Sequence, residues 1–189
     1  RGPGGAKRRS RRRSQAPGRA TGRRRCRVQA GLWPAHAPGG TGAAPDIAKK
    51  NIAMPIEYAI TKVHNFLQAE GARDAVTLIA SGGIRTAHDL VKAICLGADG
   101  AVIGTAELVS LECVRCGNCE SGRGCSRGIA STDSELADLF TEEWATQRLV
   151  NMYHAWNYQL VEILQKFGMK SVKELVGRTD LLEHIDYSK

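Results

Sequence analysis

The sequence predicts a parallel α/β fold, followed by a cysteine-rich loop and a helical tail and preceded by a disordered basic arm. Three observations point there. Two short apolar runs, Ala75–Ala80 and Gly100–Gly104, flank a helical pattern, and each leads into glycine at its carboxyl end. Four of the six cysteines fall within the thirteen residues from Cys113 to Cys125. The positive charge is confined to the front: residues 1–38 hold twelve Lys/Arg and no Asp or Glu, whereas residues 39–189 hold fifteen Lys/Arg against nineteen Asp/Glu. The 151 residues from 39 to 189 suffice for one modest domain. No apolar run approaches the ~20 residues of a membrane span, and no secretory h-region precedes the body, so a cytoplasmic setting is expected.

The front segment carries Lys7-Arg8-Arg9-Ser10-Arg11-Arg12-Arg13 and Arg23-Arg24-Arg25. It lacks periodicity and large apolar residues, so burial cannot offset its ordering entropy and residues 1–38 are expected to be disordered. Arg, Gly, Ala and Pro dominate GC-rich DNA read in the wrong frame, so a frame or fragment artefact ranks first. A solvated arm ranks second, and a nucleic-acid-binding module in residues 1–27 third. With neither strand patterning nor sufficient apolar content, this segment is not expected to cover a sheet edge.

Order is expected from Gly39-Gly40-Thr41-Gly42. Pro55 suits a first helical residue, and Ile56, Ala59, Ile60, Val63, Phe66 and Leu67 recur at helical spacing until Gly71. Ala75–Ala80 reads as a buried strand. Thr86 with Asp89 three residues on resembles a capping box, opening a helix that carries Leu90, Ala93 and Ile94 to Gly97. Gly100–Gly104 is the second strand. The tail, residues 132–189, shows a stripe of Leu149, Met152, Tyr153, Trp156, Leu160, Ile163, Leu164 and Phe167, whose aromatics are read as core. Ser171-Val-Lys-Glu174 forms a second capping box before Gly177. The five histidines, His36, His64, His88, His154 and His184, lack metal or triad spacing and are read as solvent or packing residues.

The chemistry follows from the glycines and cysteines. A phosphate can approach backbone N–H groups only where no Cβ intervenes, so Ser81-Gly82-Gly83 and Gly104-Thr105 are candidate phosphate contacts on consecutive strands. In a (βα)8 barrel such loops follow strands seven and eight. The spacing of Cys113, Cys116, Cys119 and Cys125 lies close to an iron–sulfur run, with a longer last gap. Zinc fits less well, because no His lies nearby and the thiols are not two separated pairs. Disulfides are the remaining alternative, disfavoured for cysteines so close in one loop. Cys95 reads as a small buried hydrophobe.

These segments together resemble the FMN-binding synthase domain of the glutamate synthase family. The resemblance rests on Gly39-Gly-Thr-Gly-Ala-Ala-Pro45, Ser81-Gly-Gly-Ile-Arg-Thr86, Gly104-Thr105-Ala106, the cysteine loop and Glu174-Leu-Val-Gly-Arg-Thr-Asp-Leu-Leu182, in the family's order over residues 39–187. It implies the carboxyl-terminal portion of a (βα)8 barrel, with FMN phosphate contacts at Ser81, Gly82, Gly83, Gly104 and Thr105. Gly39, Gly40 and Thr41 would end an earlier strand beside the flavin. The family holds a 3Fe–4S cluster by C-x5-C-x4-C followed by Pro-Val-Gly. Cys113, Cys119 and Cys125 match the order, but here the second gap is five and Ser126-Arg127-Gly128 follows. The options are three ligands with Cys116 spare, or four around a 4Fe–4S cluster.

The implied reaction is FMN-dependent reduction of 2-iminoglutarate, formed from 2-oxoglutarate and ammonia or glutamine-derived ammonia. Electrons would come from ferredoxin or an NADPH-linked partner through the cluster. The family's barrel needs about five more strand–helix units ahead of residue 39 than this chain carries. Its glutaminase domain is absent too, and the residues that bind 2-oxoglutarate belong to the same missing front. No catalytic residue is therefore assigned, and the chain alone is expected to be silent, with an open apolar sheet edge. The rival enzyme is another FMN-dependent barrel oxidoreductase, acting on 2-hydroxy acids or resembling an inosinate dehydrogenase. The cysteine loop and the Gly177–Leu182 tail argue against it.

Overall fold

A computed structural model describes the backbone of residues 24–29 and, with side chains, residues 54–119, 124–131, 133–139 and 141–183. Gly39, Gly40 and Thr41 lie outside the described residues, as do His36 and His184. The sheet has three strands, β1 (Arg24–Gln29), β2 (Val76–Ser81) and β3 (Gly100–Val102), in that order and all parallel. Helix α1 (Ile56–Ala69) precedes β2, and α2 (Ala87–Cys95) crosses from β2 to β3. Then come α3 (Thr105–Ser110), a single turn α4 (Ser134–Ala137) and the long α5 (Glu142–Lys166).

β1 departs from the sequence reading, which left residues 1–38 without structure and unable to cover the sheet. Arg24–Gln29 pairs with Val76–Ser81 along the whole length of β2. Ladder hydrogen bonds come from backbone groups, so an arginine-rich segment satisfies an edge as well as an apolar one. The alternation of Cys26 and Val28 with Arg25, Arg27 and Gln29 is a period-two pattern that the density of arginine obscures. On the other side β3 is the edge among the described strands, and Val102 is 41% exposed.

Helix ends sit where local chemistry sets them. Thr86 accepts from the Asp89 N–H at 3.2 Å while the Asp89 carboxylate accepts from Thr86 N at 3.1 Å, a complete capping box. Gly71, Gly97, Gly168 and Gly177 take positive φ after helical turns. Pro55 is the residue before α1 rather than its first, and the second box is altered: Ser171 caps Lys173 N while Glu174 accepts from Lys170 N.

Two apolar layers hold the fold. Ile56 and Ile60 of α1 meet Ala80, Ile84, Ala87, Ala93 and Trp156. On the other side of α2, Val91, Ile94 and Cys95 pack on Leu175, with Leu160, Ile163, Leu164, Leu181 and Leu182 around them. Cys95 is the buried small hydrophobe expected. The aromatic stripe of α5 is core only at Trp156, since Tyr153 is 40% and Phe167 45% exposed. Tyr153 sits edge-on to Trp156 and donates its hydroxyl to Glu107 of α3, which keeps its polar end at the surface and its ionisation pushed up to about 12.

The amino ends of β2 and β3 are tied by polar side chains. Arg73 donates Nε–H to His64 Nδ1 at 3.0 Å, and its remaining nitrogens reach the carbonyls of Val76 and Gly97, each at 2.9 Å. Asp99 pairs with Arg73 at 3.0 Å and accepts from Leu78 N at 2.7 Å, so its side chain extends the ladder one residue ahead of β3. His64 is buried against Gly97, where a Cβ would stand 2.3 Å from its Cγ, and near Gly177, at 2.9 Å from its Nε2. Burial, then the Arg73 charge, hold His64 below its usual ionisation range and hence neutral. The reading of His64 as a packing residue matches this placement.

Candidate functional site

The carboxyl ends of the same strands carry the candidate phosphate loops. Ser81, the last residue of β2, is buried and lies in register with Val102, the last residue of β3. The segments Gly82-Gly83 and Ile103-Gly104-Thr105 therefore leave the sheet side by side, next to Ser81. Gly82 and Gly83 have φ of 117° and 70°, a backbone that side chains resist. Gly104 is different: its φ is −142° and a Cβ there would meet nothing within 4 Å. Space thus opens in front of Gly104, at the start of a helix that no side chain caps. α2, by contrast, is capped by Thr86 and Asp89, while the first-turn acid of α3, Glu107, is engaged by Tyr153. Glycine-permitted backbone on one strand end and open approach on the other suit a phosphate-bearing group such as FMN.

The cysteine loop hangs between α3 and α4. Cys113, Cys116, Cys119 and Cys125 are free thiols, and Cys116 and Cys119 are exposed. Cys125 has its ionisation lowered, chiefly by the N–H of Ala130, against desolvation, with smaller help from the N–H groups of Arg127, Ile129 and Gly128. Among the described residues no three of His, Cys, Asp or Glu are grouped to hold a metal ion.

Sequence reading missed the side chains that close the neck of this loop. Glu112, just before Cys113, accepts from Arg127 through one carboxylate oxygen and from Arg148 of α5 through the other. Arg148 lies over the Trp144 ring at 4.9 Å. Beside them opens a cleft of about 450 Å³ lined by Leu111, Glu112, Arg127, Asp138, Leu139 and Trp144. Separations of 15 and 36 residues leave no local signal for these pairs.

The described residues thus form a parallel α/β unit with glycine loops at adjoining strand ends and four thiols on the loop beyond. The conserved region of glutamate synthase matches residues 35–170, and the chain belongs to the glutamate synthase family, a family of enzymes. An archaeal glutamate synthase (NADPH) from Methanocaldococcus jannaschii is 42% identical over 147 residues, 78% of this chain and 29% of that protein. The glutamate synthase (NADPH) large chain of Azospirillum brasilense is 35% identical over 78% of this chain and 10% of its own. A ferredoxin-dependent glutamate synthase from Pyropia yezoensis is 33% identical over 76% and 9%. The chain thus spans less than a third of the relatives it matches. Among solved structures, a flavocytochrome b2 variant with sulfite bound aligns over 68% of this chain and 26% of its own, at 19% identity and a TM-score of 0.41. The family rests on the sequence matches. No helix among the described residues is long and apolar enough to cross a membrane.

Proposed function

We propose that this chain supplies the flavin-phosphate loops and the cluster loop of a glutamate synthase-type oxidoreductase, as the carboxyl-terminal portion of its FMN barrel. The observation that carries the reading is the side-by-side exit of Ser81-Gly82-Gly83 and Gly104-Thr105 from strands in register. Backbone N–H groups of Gly82, Gly83 and Thr105, with the Ser81 and Thr105 hydroxyls, would donate to phosphate oxygens. Gly39, Gly40 and Thr41 would line the flavin from an earlier strand. Bound FMN supplies the hydride that converts 2-iminoglutarate, from 2-oxoglutarate and ammonia or glutamine-derived ammonia, to glutamate.

The thiols of Cys113, Cys119 and Cys125, with Cys116 as an optional fourth, are the proposed ligands of an iron–sulfur cluster. Its electron donor would be NADPH-linked or ferredoxin, both of which give relatives their names. The setting proposed is cytoplasmic. Residues 1–34 are proposed to lie outside the synthase unit except for the strand at Arg24–Gln29.

The test is a chimera in which residues 35–170 replace the matching stretch of the Methanocaldococcus jannaschii relative. We expect a folded protein that retains FMN and forms glutamate from 2-oxoglutarate, ammonia and reductant. A chimera with native circular dichroism but no flavin, beside a parent that retains it, would show that these strand ends do not bind the cofactor.

A further inference from the structure

We infer that Glu112 is the positioning residue of the cysteine loop: its carboxylate clasps the neck through Arg127 and ties it to α5 through Arg148. The inference rests on the proposed role of the loop as a ligand carrier. It starts from a backbone conflict. α3 ends in a Schellman turn, with the Glu112 N–H bonded to the Val109 carbonyl and the Cys113 N–H to the Leu108 carbonyl, each at 2.9 Å. The residue in the left-handed position of that turn is normally glycine. Here it is Glu112, at φ 68°. A non-glycine residue held there signals that something else gains from its side chain.

That gain is visible in its partners. Arg127 lies two residues beyond Cys125, so the Glu112–Arg127 pair joins the two ends of the loop directly. Arg148, stacked on Trp144, takes the other oxygen and fixes the neck to the long helix. The far end is pinned independently, because a Cβ on Gly128 would stand 1.9 Å from the Leu136 carbonyl of α4. Between these anchors Val114, Cys116 and Cys119 are exposed, with Arg115 and Gly117 at positive φ on either side of Cys116. The neck therefore holds Cys113 and Cys125 in fixed relation. Ion pairs this exposed contribute little to global stability singly, so their effect should be local.

Glu112→Gly separates the two sides of this argument, since it relieves the backbone and deletes the carboxylate. In the full chain, free of metal, we expect its urea midpoint to match or exceed wild type. Iodoacetamide should modify Cys113 and Cys125 about five-fold faster, as loss of a small ion-pair network would give, with Cys116 unchanged and buried Cys95 silent. After anaerobic reconstitution with iron and sulfide, Glu112→Gly should hold less than half the wild-type iron and sulfide, and Glu112→Asp should recover part of it. Equal alkylation of wild type and Glu112→Gly would overturn the clasp whatever the loop binds. A wild-type chain that takes up no iron or sulfide would overturn the cluster reading instead.

Discussion

The two ends of the sheet are built on opposite plans. At the amino ends of β2 and β3, Arg73, Asp99 and His64 bond one another and the strand backbones, and Gly97 is needed because His64 already occupies the space a side chain would take. At the carboxyl ends, Gly82 and Gly83 hold backbone forms that only glycine takes easily, and Gly104 faces open space. Glycine makes room for the protein's own side chain at one end, and at the other Gly104 leaves its approach open. In the proposed reading the polar end serves stability and the open end serves the ligand.

The largest effect that could break this contrast is at Gly97. Gly97→Ala forces a Cβ into the His64 ring and also strains a φ of 116°, so we expect a loss of about 3 kcal/mol in urea unfolding. A loss under about 1 kcal/mol would mean the amino end is looser than described.

A smaller effect should appear with pH. His64 is held neutral in the fold, below its usual 6.5, whereas the unfolded chain takes up the proton at the usual value. The unfolded state then binds more protons as pH falls below about 6.5, so stability is full above that and declines beneath it. His64→Gln, which keeps an acceptor for Arg73, should flatten the urea midpoint between pH 7 and pH 5. An unchanged slope would assign the acid sensitivity to other groups.

The contrast was partly legible in the sequence. Glycines after apolar runs marked both strand ends, and the Thr86–Asp89 spacing marked the helix between them, because those signals are local. The amino-end network was not legible: His64, Arg73 and Asp99 come from three separate segments, and the histidine looked unremarkable alone. β1 was hidden for another reason. Its six residues read as charge, while strand pairing is decided by the backbone and by the free edge of β2. Glu112 was hidden twice over, since its partners are distant and its left-handed backbone is one that glycine would signal. Tyr153 and Phe167 were placed in the core because the stripe on α5 is wider than the face that packs.

Gly104→Ala carries the smallest expected cost to the fold and gives the most direct test of the open end. A methyl group there meets no atom within 4 Å, so the unfolding free energy of the chimera in urea should stay within about 0.5 kcal/mol of that of the unsubstituted chimera. Its flavin affinity, measured by fluorescence on titration with FMN, should fall by about 1–3 kcal/mol, because the methyl would stand where the phosphate meets backbone donors. Unchanged affinity at unchanged stability would contradict the assignment of this strand end to the cofactor.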